Sequence, residues 1–433
     1  MPASIWSPAV AVLALLFPAF AVTQEPAGAV SGLPVGPYVA ADGSVLSLFQ
    51  APLGPAFLNH ATGRVGVLHA IGPDRFGAGP GALGKEPIEV SIEIRRGPAG
   101  EVLHARYVDS TGRARVYLPR PLPRTLDAAI RHGDVTLAAT LSLPEGRGPF
   151  PAVLMNHGGG PGVRADLRVW SWFLTHLGYA VLTYDKRGSG ATTGPGWETF
   201  EDLAGDAAAA LRWLKRQAAI DSMRTGVWAY SQSGWVVPLA LRLEPARFVV
   251  AVSIPVISPA DREAASARVR LPADGFSPAE TDSALAFLEL ARAFVREEMT
   301  WTAYQRDLDA TRQARWFGRL ELPTRERAPH SAYYRSEYGY FLDPAPFWSR
   351  VDVPVLALYG ELDTTVPPAA NARVLAAALA LNPAAIVTVL PGANHQMLLA
   401  RTGGDDELVD LNRYAGGYFA LLAAFLQAIA TRG

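Results

Sequence analysis

The stretch Thr225-Gly226-Val227-Trp228-Ala229-Tyr230-Ser231-Gln232-Ser233-Gly234-Trp235, running on to Leu243, decides the fold. An apolar strand pattern over 225–228 gives way within a few residues to a helical pattern over 235–243, with Ser231 at the turn between them. A serine on so sharp a strand-to-helix turn presents its hydroxyl at the edge of a sheet, with a helix N-terminus behind it. The helix dipole and the free amides of that first turn favour negative charge developing beside the hydroxyl. Such elbows usually read G-x-S-x-G. Here Ala229 and Ser233 stand at the two glycine positions, and both are small, as the crowded turn requires.

Working outward, the same signature of a continuous apolar run recurs at 152–155, 180–184, 248–252, 355–358 and 386–389. Runs of this kind mark strands buried on both faces, as in parallel sheets covered by helices. Helical periodicity over 203–217 and 369–381 falls between them, and 135–143 reads as one more strand. Strands alternating with helices predict an α/β fold, a doubly wound and mostly parallel sheet. One connection breaks the rhythm: roughly 100 residues separate Ser253 from Val353. That is too long for a loop, so a helical cap insert is expected over about 258–350. It holds a helical run at 284–298 and the aromatics Trp301, Tyr304, Trp316, Phe317, Tyr333, Tyr334, Tyr338, Tyr340 and Phe341. These either line an apolar acyl pocket or pack the insert against the sheet.

Toward the N-terminus the texture differs. Residues 38–126 contain short alternating runs, at 66–71, 88–94 and 102–108, broken by turn residues. Half-buried antiparallel strands follow, hence a small all-β N-terminal domain ahead of a catalytic unit over 127–433. His60, His69 and His104 are isolated in it and read as ordinary strand or loop residues. Residues 24–37, rich in Pro, Gly and Ala, form a linker. Before it, residues 9–17 are unbroken apolar sequence followed by Pro18-Ala19-Phe20-Ala21, the pattern of a cleavable secretory signal over 1–23, although no Lys or Arg precedes it. The apolar run is too short for a membrane span. Export to the periplasm or the medium is expected, with no stable membrane insertion once the signal is removed.

Composition narrows the chemistry. The 433 residues are too many for one ordinary core. With 39 basic and 40 acidic residues, net charge −1, no long-range field attracts nucleic acid or an anionic membrane. There is no cysteine, which excludes disulfides, thiolate metal sites and thiol nucleophiles.

Three further stretches carry chemistry. Asn156-His157-Gly158-Gly159-Gly160-Pro161-Gly162 follows the strand at 152–155. Its glycines free backbone amides to point into a cavity, so Gly158 or Gly159 supplies one side of an oxyanion hole and Gln232 the other. His157 reads as structural. Leu358-Tyr359-Gly360-Glu361-Leu362-Asp363 again follows a buried strand and puts Asp363 beyond its carboxyl end, better placed than Glu361 or Asp352. Finally, Pro391-Gly392-Ala393-Asn394-His395 follows the last strand. Of the eight histidines only His330 and His395 come after Ser231, and His330 falls inside the insert. The chain order serine, acid, histidine therefore selects Ser231 as nucleophile, Asp363 as orienting acid and His395 as general base. Such a site requires no metal and no organic cofactor.

Taken together, His157-Gly158-Gly159-Gly160-Pro161, Tyr184-Asp185-Lys186-Arg187-Gly188-Ser189-Gly190, the Ser231 elbow, Gly360-x-x-Asp363 and Asn394-His395 resemble the α/β-hydrolase superfamily. Within it the chain is similar to bacterial, often secreted esterase and serine-peptidase-like proteins, relatives of dienelactone hydrolases with a β-rich N-terminal extension. The resemblance spans roughly residue 134 to the C-terminus, less the insert. It implies hydrolysis of a small ester or peptide-like substrate. The glycine loop and the Asp185 to Gly190 stretch are also similar to those of prolyl aminopeptidases; Asp185 and Arg187 are read as bracing the oxyanion loop. Three functions stay open. The first is a carboxylic-ester hydrolase. The second is a serine peptidase, which needs an acid to pair with a substrate amine, with Asp261, Glu263, Glu289, Glu297 and Glu298 available in the insert. The third is an inactive binding protein, which predicts a missing triad member; none is missing. Oligomeric state is open.

Overall fold

The computed structural model describes residues 32–196, 199–323 and 337–431. The expected signal segment 1–23, the linker up to residue 31, His330, Tyr333 and Tyr334 lie outside the described residues.

The first nine strands are β1 Gly36–Val39, β2 Val45–Ala51, β3 Gly54–Asn59, β4 Val65–Val67, β5 His69–Gly72, β6 Arg75–Ala78, β7 Val90–Arg96, β8 Val102–Val108 and β9 Ala114–Pro119. They form one antiparallel sheet in the order β4-β3-β2-β1-β9-β8-β7-β6-β5. β4 and β5 sit at opposite ends of that order, yet only Leu68 separates them in the chain. One residue spans no more than about 3.5 Å, so the two edges meet and the sheet curls almost into a barrel. Alternation fills both faces. Leu46, Leu48, Phe57, Ile92, Tyr107 and Tyr117 form its interior, while Phe49, Leu58, Val65 and Val67 face outward into a core shared with the rest of the chain.

The second sheet is mixed, in the order β10-β11-β13-β12-β14-β15-β16-β17. Its strands are β10 Arg124–His132, β11 Val135–Leu143, β12 Phe150–Met155, β13 Ala180–Tyr184, β14 Ile220–Tyr230, β15 Val249–Val252, β16 Val355–Gly360 and β17 Ala385–Leu390. β10, β11 and β13 pair antiparallel and every later pairing is parallel. The expected break between residues 126 and 127 falls inside β10, because Arg124 to Leu126 already pair with Leu141 to Leu143. In β12 the side chains divide by parity: Ala152 and Leu154 enter one core, Val153 and Met155 the other. The first core is covered by α2 Phe200–Lys215, α3 Ser233–Leu243 and α7 Pro368–Ala378, the second by α1 Arg168–His176 and α8 Tyr418–Thr431. This is the doubly wound arrangement. β17 departs from expectation: as the outermost strand it leaves Ile386 51% exposed, although its apolar run reads like a central strand.

Between β15 and β16 lie α4 Pro259–Ala273, α5 Pro278–Val295, α6 Trp301–Thr311 and the short turns Glu337–Tyr340 and Ala345–Trp348. α5 begins earlier than the run at 284–298 implies. Ser277 and Glu280 cap it reciprocally, and proline at its first position is already in helical φ. Tyr304 and Trp316 pack with Leu271, Phe287 and Leu308 in a core belonging to the insertion itself, whereas Tyr340 joins the sheet core. No helix among the described residues is long and apolar enough to cross a membrane.

Candidate active site

Ser231 follows the last residue of β14 and adopts φ +48°, a left-handed conformation costly for any residue with a Cβ. Neighbours hold it there. Its amide donates to Val252 O on β15 (3.1 Å) and its carbonyl accepts from Gly234 N (2.8 Å). Gly234 is obligatory, since a Cβ there would lie 2.3 Å from Pro255 O. Ser233, at the other unconventional elbow position, donates its hydroxyl to His157 O (2.7 Å) and so binds the elbow to the glycine loop. Smallness alone, the property read from sequence, understates its part.

The structure brings Ser231, His395 and Asp363 together. His395 Nε2 lies 3.0 Å from Ser231 Oγ, and Nδ1 lies 2.8 Å from Asp363 Oδ2. A carboxylate only accepts, so Nδ1 carries the proton and Nε2 turns its lone pair toward the serine hydroxyl. Asp363 is held in turn: its Oδ1 accepts from the amides of Thr365 (2.9 Å) and Val366 (2.7 Å), and its side chain is fully buried. The histidine loop is built by Asn394, whose Oδ1 accepts from the amides of Gln396 and Leu398 (3.0 Å each). Ser253, at φ +51°, donates its hydroxyl to His395 O (2.8 Å). Gly360 lets the acid-bearing strand end press against that loop, because a Cβ there would meet Ala393 O and Asn394 O at 2.4 Å. From outside, the first sheet supports the same loop. Val65 N donates to Asn412 O and Tyr414 N to Gly63 O (2.9 Å each), and Tyr414 bridges to Leu398.

The glycine loop lies beside the serine: a Cβ on Gly158 would sit 3.4 Å from Ser231 Cβ, while one on Gly159 would meet nothing within 4 Å. His157 is structural. Its Nε2 meets Tyr184 O at 2.5 Å, and burial pushes its pKa down to about 4, so the ring is neutral. Asp185 does brace the loop, accepting from the amide of Arg164 and its Nη1 (2.7 Å each) and from Ala191 N (2.8 Å). Arg187 turns away, to Asp206 and Asp202 near the start of α2. The residue between them, Lys186, was not singled out by sequence reasoning. Buried, it donates from Nζ to Gln232 Oε1 (2.7 Å) and Gly160 O (3.0 Å) and reaches Gly158 O (3.4 Å). Glu361 instead accepts from Gly392 N (2.8 Å), and Asp352 is exposed. His60 and His69 sit in or beside the first sheet, where His60 stacks on Phe173.

The acids of the insertion are mostly committed elsewhere. Asp261 accepts from Ser258 Oγ at the start of α4 and pairs with Arg292 (3.0 Å). Glu263, fully buried, accepts from Arg262 Nη1 (2.8 Å) and Glu321 N (3.0 Å). Glu289 pairs with Arg292 at the surface, and Glu297 and Glu298 are exposed beyond α5. Among the described residues, no group of three or more His, Asp or Glu is arranged to hold a metal ion.

Residues 152–410 match the Alpha/beta hydrolase family, and the chain belongs to it. An uncharacterized protein of Mycobacterium tuberculosis is 37% identical over 106 residues, 24% of this chain and 36% of that protein. An uncharacterized 31.7 kDa protein of Escherichia coli is 31% identical over 105 residues, 23% of this chain and 35% of its own length. The chain thus spans about a third of the length of the curated relatives it matches. Among solved structures, a proline iminopeptidase-related protein of Thermus thermophilus is 22% identical with a TM-score of 0.45, covering 71% of this chain and 99% of that one. An esterase of Pyrococcus furiosus is 17% identical with a TM-score of 0.44, covering 71% and 92%.

Proposed function

We propose that the protein is a serine hydrolase that cleaves carboxylic esters through an acyl-enzyme intermediate, with Ser231, His395 and Asp363 as its triad. The observation that carries this reading is the continuous pair of contacts from Ser231 Oγ through the imidazole to the buried carboxylate, at 3.0 and 2.8 Å. In the reaction, Ser231 Oγ forms a bond to the acyl carbon while His395 Nε2 takes the hydroxyl proton. Asp363 stabilises the imidazolium. The carbonyl oxygen becomes an oxyanion, received by the amides of Gln232 and of Gly158 or Gly159, each donor worth about 3 kcal/mol of barrier. Collapse breaks the bond to the leaving alcohol, which takes the proton from His395. Water then enters by the same route in reverse, releasing the acid and restoring the serine.

Peptide cleavage would use the same triad. The ester reading is preferred because two acids of the insertion that could meet a substrate amine, Asp261 and Glu263, are already paired with arginines. The proposal includes the insertion as a cap: α4 abuts the acid loop, where Ser266 Oγ donates to Thr364 O (2.7 Å). It also includes export, supported by the apolar run at 9–17 and Ala19-Phe20-Ala21.

The test is a panel of p-nitrophenyl esters and aminoacyl anilides offered to the native protein and to Ser231→Ala. Ester cleavage by the native protein alone, with the variant lower by about 10⁴-fold or more, is the expected result. Anilides cleaved faster than esters would replace the esterase reading with a peptidase, and an active Ser231→Ala would end both.

A further inference from the structure

Lys186 lies two residues beyond the end of β13, beneath the glycine loop, and is 4% exposed. Its ammonium has three donors in a fixed tetrahedral spread, directed among others at Gln232 Oε1, Gly160 O and Gly158 O. In a trans peptide the C=O and the following N–H point in opposite directions. Holding Gly158 O toward the ammonium therefore aims Gly159 N–H away from it. Ser233 does the same one peptide earlier, since its hydroxyl holds His157 O and so sets the direction of Gly158 N–H. The peptide after Gly160 has no N–H, because Pro161 follows, so the contact to Gly160 O serves to anchor the turn itself, where Gly160 takes φ +78°. The other oxyanion donor belongs to Gln232, and the same ammonium grips that residue by its side chain.

Resting on the serine-hydrolase reading above, we infer that Lys186 is a positioning residue that locks the two halves of the oxyanion site to each other. It touches no reacting atom. It holds the carbonyl ends of the loop peptides from behind, so the donor amides are fixed before charge develops and need no reorganisation when it does. A positive charge at the carbonyl end also polarises the N–H end of the same peptide, strengthening it as a donor.

Lys186→Met and Gln232→Met test this, the second keeping the backbone amide while cutting the link. Activity is read with p-nitrophenyl butyrate, and oxyanion binding with a trifluoromethyl ketone, which adds to Ser231 and places an alkoxide in the hole. For Lys186→Met, kcat should fall roughly 30- to 100-fold with KM within about threefold, since only transition-state binding is lost. Affinity for the ketone should fall by the same factor. A fold-stabilising role alone would lower the melting temperature and leave both kcat per folded molecule and ketone affinity intact, and that result overturns the inference. Should Lys186→Met not fold, Gln232→Met decides by the same two readouts. Ser231→Ala run alongside separates the two proposals: activity surviving in it removes the nucleophile itself, whereas a dead Ser231→Ala beside an unimpaired Lys186→Met removes only the positioning role.

Discussion

Gly360→Ala tests the geometry that joins acid to histidine without touching either. The added methyl would meet Ala393 O and Asn394 O at 2.4 Å and Ala393 C at 2.8 Å. Ordinary carbon to oxygen contact lies at about 3.3–3.6 Å, so the end of β16 and the histidine loop must part by roughly 1 Å. All three obstacles are backbone atoms, and the loop is pinned by Ser253, Asn394 and Tyr414, so no side chain can swing aside to absorb the change. The His395 to Asp363 contact of 2.8 Å and the His395 to Ser231 contact of 3.0 Å are the distances that must stretch. A displacement of about 1 Å in a reacting constellation costs on the order of 10²-fold in rate, and overpacking costs about 1–3 kcal/mol of stability. The assay compares kcat on p-nitrophenyl butyrate with the urea midpoint, for this variant and for Gly416→Ala, where a methyl meets nothing within 4 Å. A folded Gly360→Ala with kcat within about threefold of native would refute the claim that this close approach sets the alignment.

Two other outcomes are expected. Ser233→Ala leaves the buried His157 carbonyl without its donor and should lower unfolding free energy by about 1–3 kcal/mol, measured by urea titration; an unchanged midpoint would show the bond to be dispensable. For pH, burial depresses His157 to about 4 and His60 to about 3. Between those values and the unfolded value near 6.5 these two rings bind more protons in the unfolded chain, so their contribution to stability falls as pH drops below about 6.5. Asp166 opposes this, because burial lifts it to about 7 and its folded carboxyl is protonated below that. His176 is lowered as well, while burial raises Glu263 and Asp274 in the same sense as Asp166, so the histidine contribution is read by difference. The urea midpoint of His60→Gln should fall less between pH 6 and 5 than that of the native protein, and equal falls would contradict it.

The central strands were legible because a continuous apolar run has one packing solution, burial on both faces. The runs at 152–155 and 180–184 fall within β12 and on β13, both buried throughout. Where the run rule fails, the physics is equally specific. β14 begins at Ile220, but Asp221, Ser222 and Arg224, half-buried polar residues near its start, break the apolar signal. β17 carries the same residues as an interior strand yet lies at the edge, and composition records burial, not rank in the sheet. In the first sheet, 66–71 reads as one alternating strand. The chain turns a corner at Leu68 and splits it into β4 and β5, the two edges that meet. Alternation assigns faces; it carries no information about which strand stands beside which, so closure could not be foreseen.

For the site the division falls along hydrogen-bond range. Ser231, Asp363 and His395 could be chosen from sequence because each follows a strand end and their order is constrained. Several groups that tie the site together donate instead to backbone carbonyls far along the chain: Ser233 to His157, Ser253 to His395, Lys186 to Gly158 and Gly160. A carbonyl acceptor is present at every residue and leaves no trace in residue identity, so such partners have no motif. The elbow illustrates the consequence. Read against G-x-S-x-G, serine at 233 looks like a weakening of the pattern. In place, its backbone still permits the turn, and its hydroxyl ties the turn to the glycine loop, a link that a glycine there could not make.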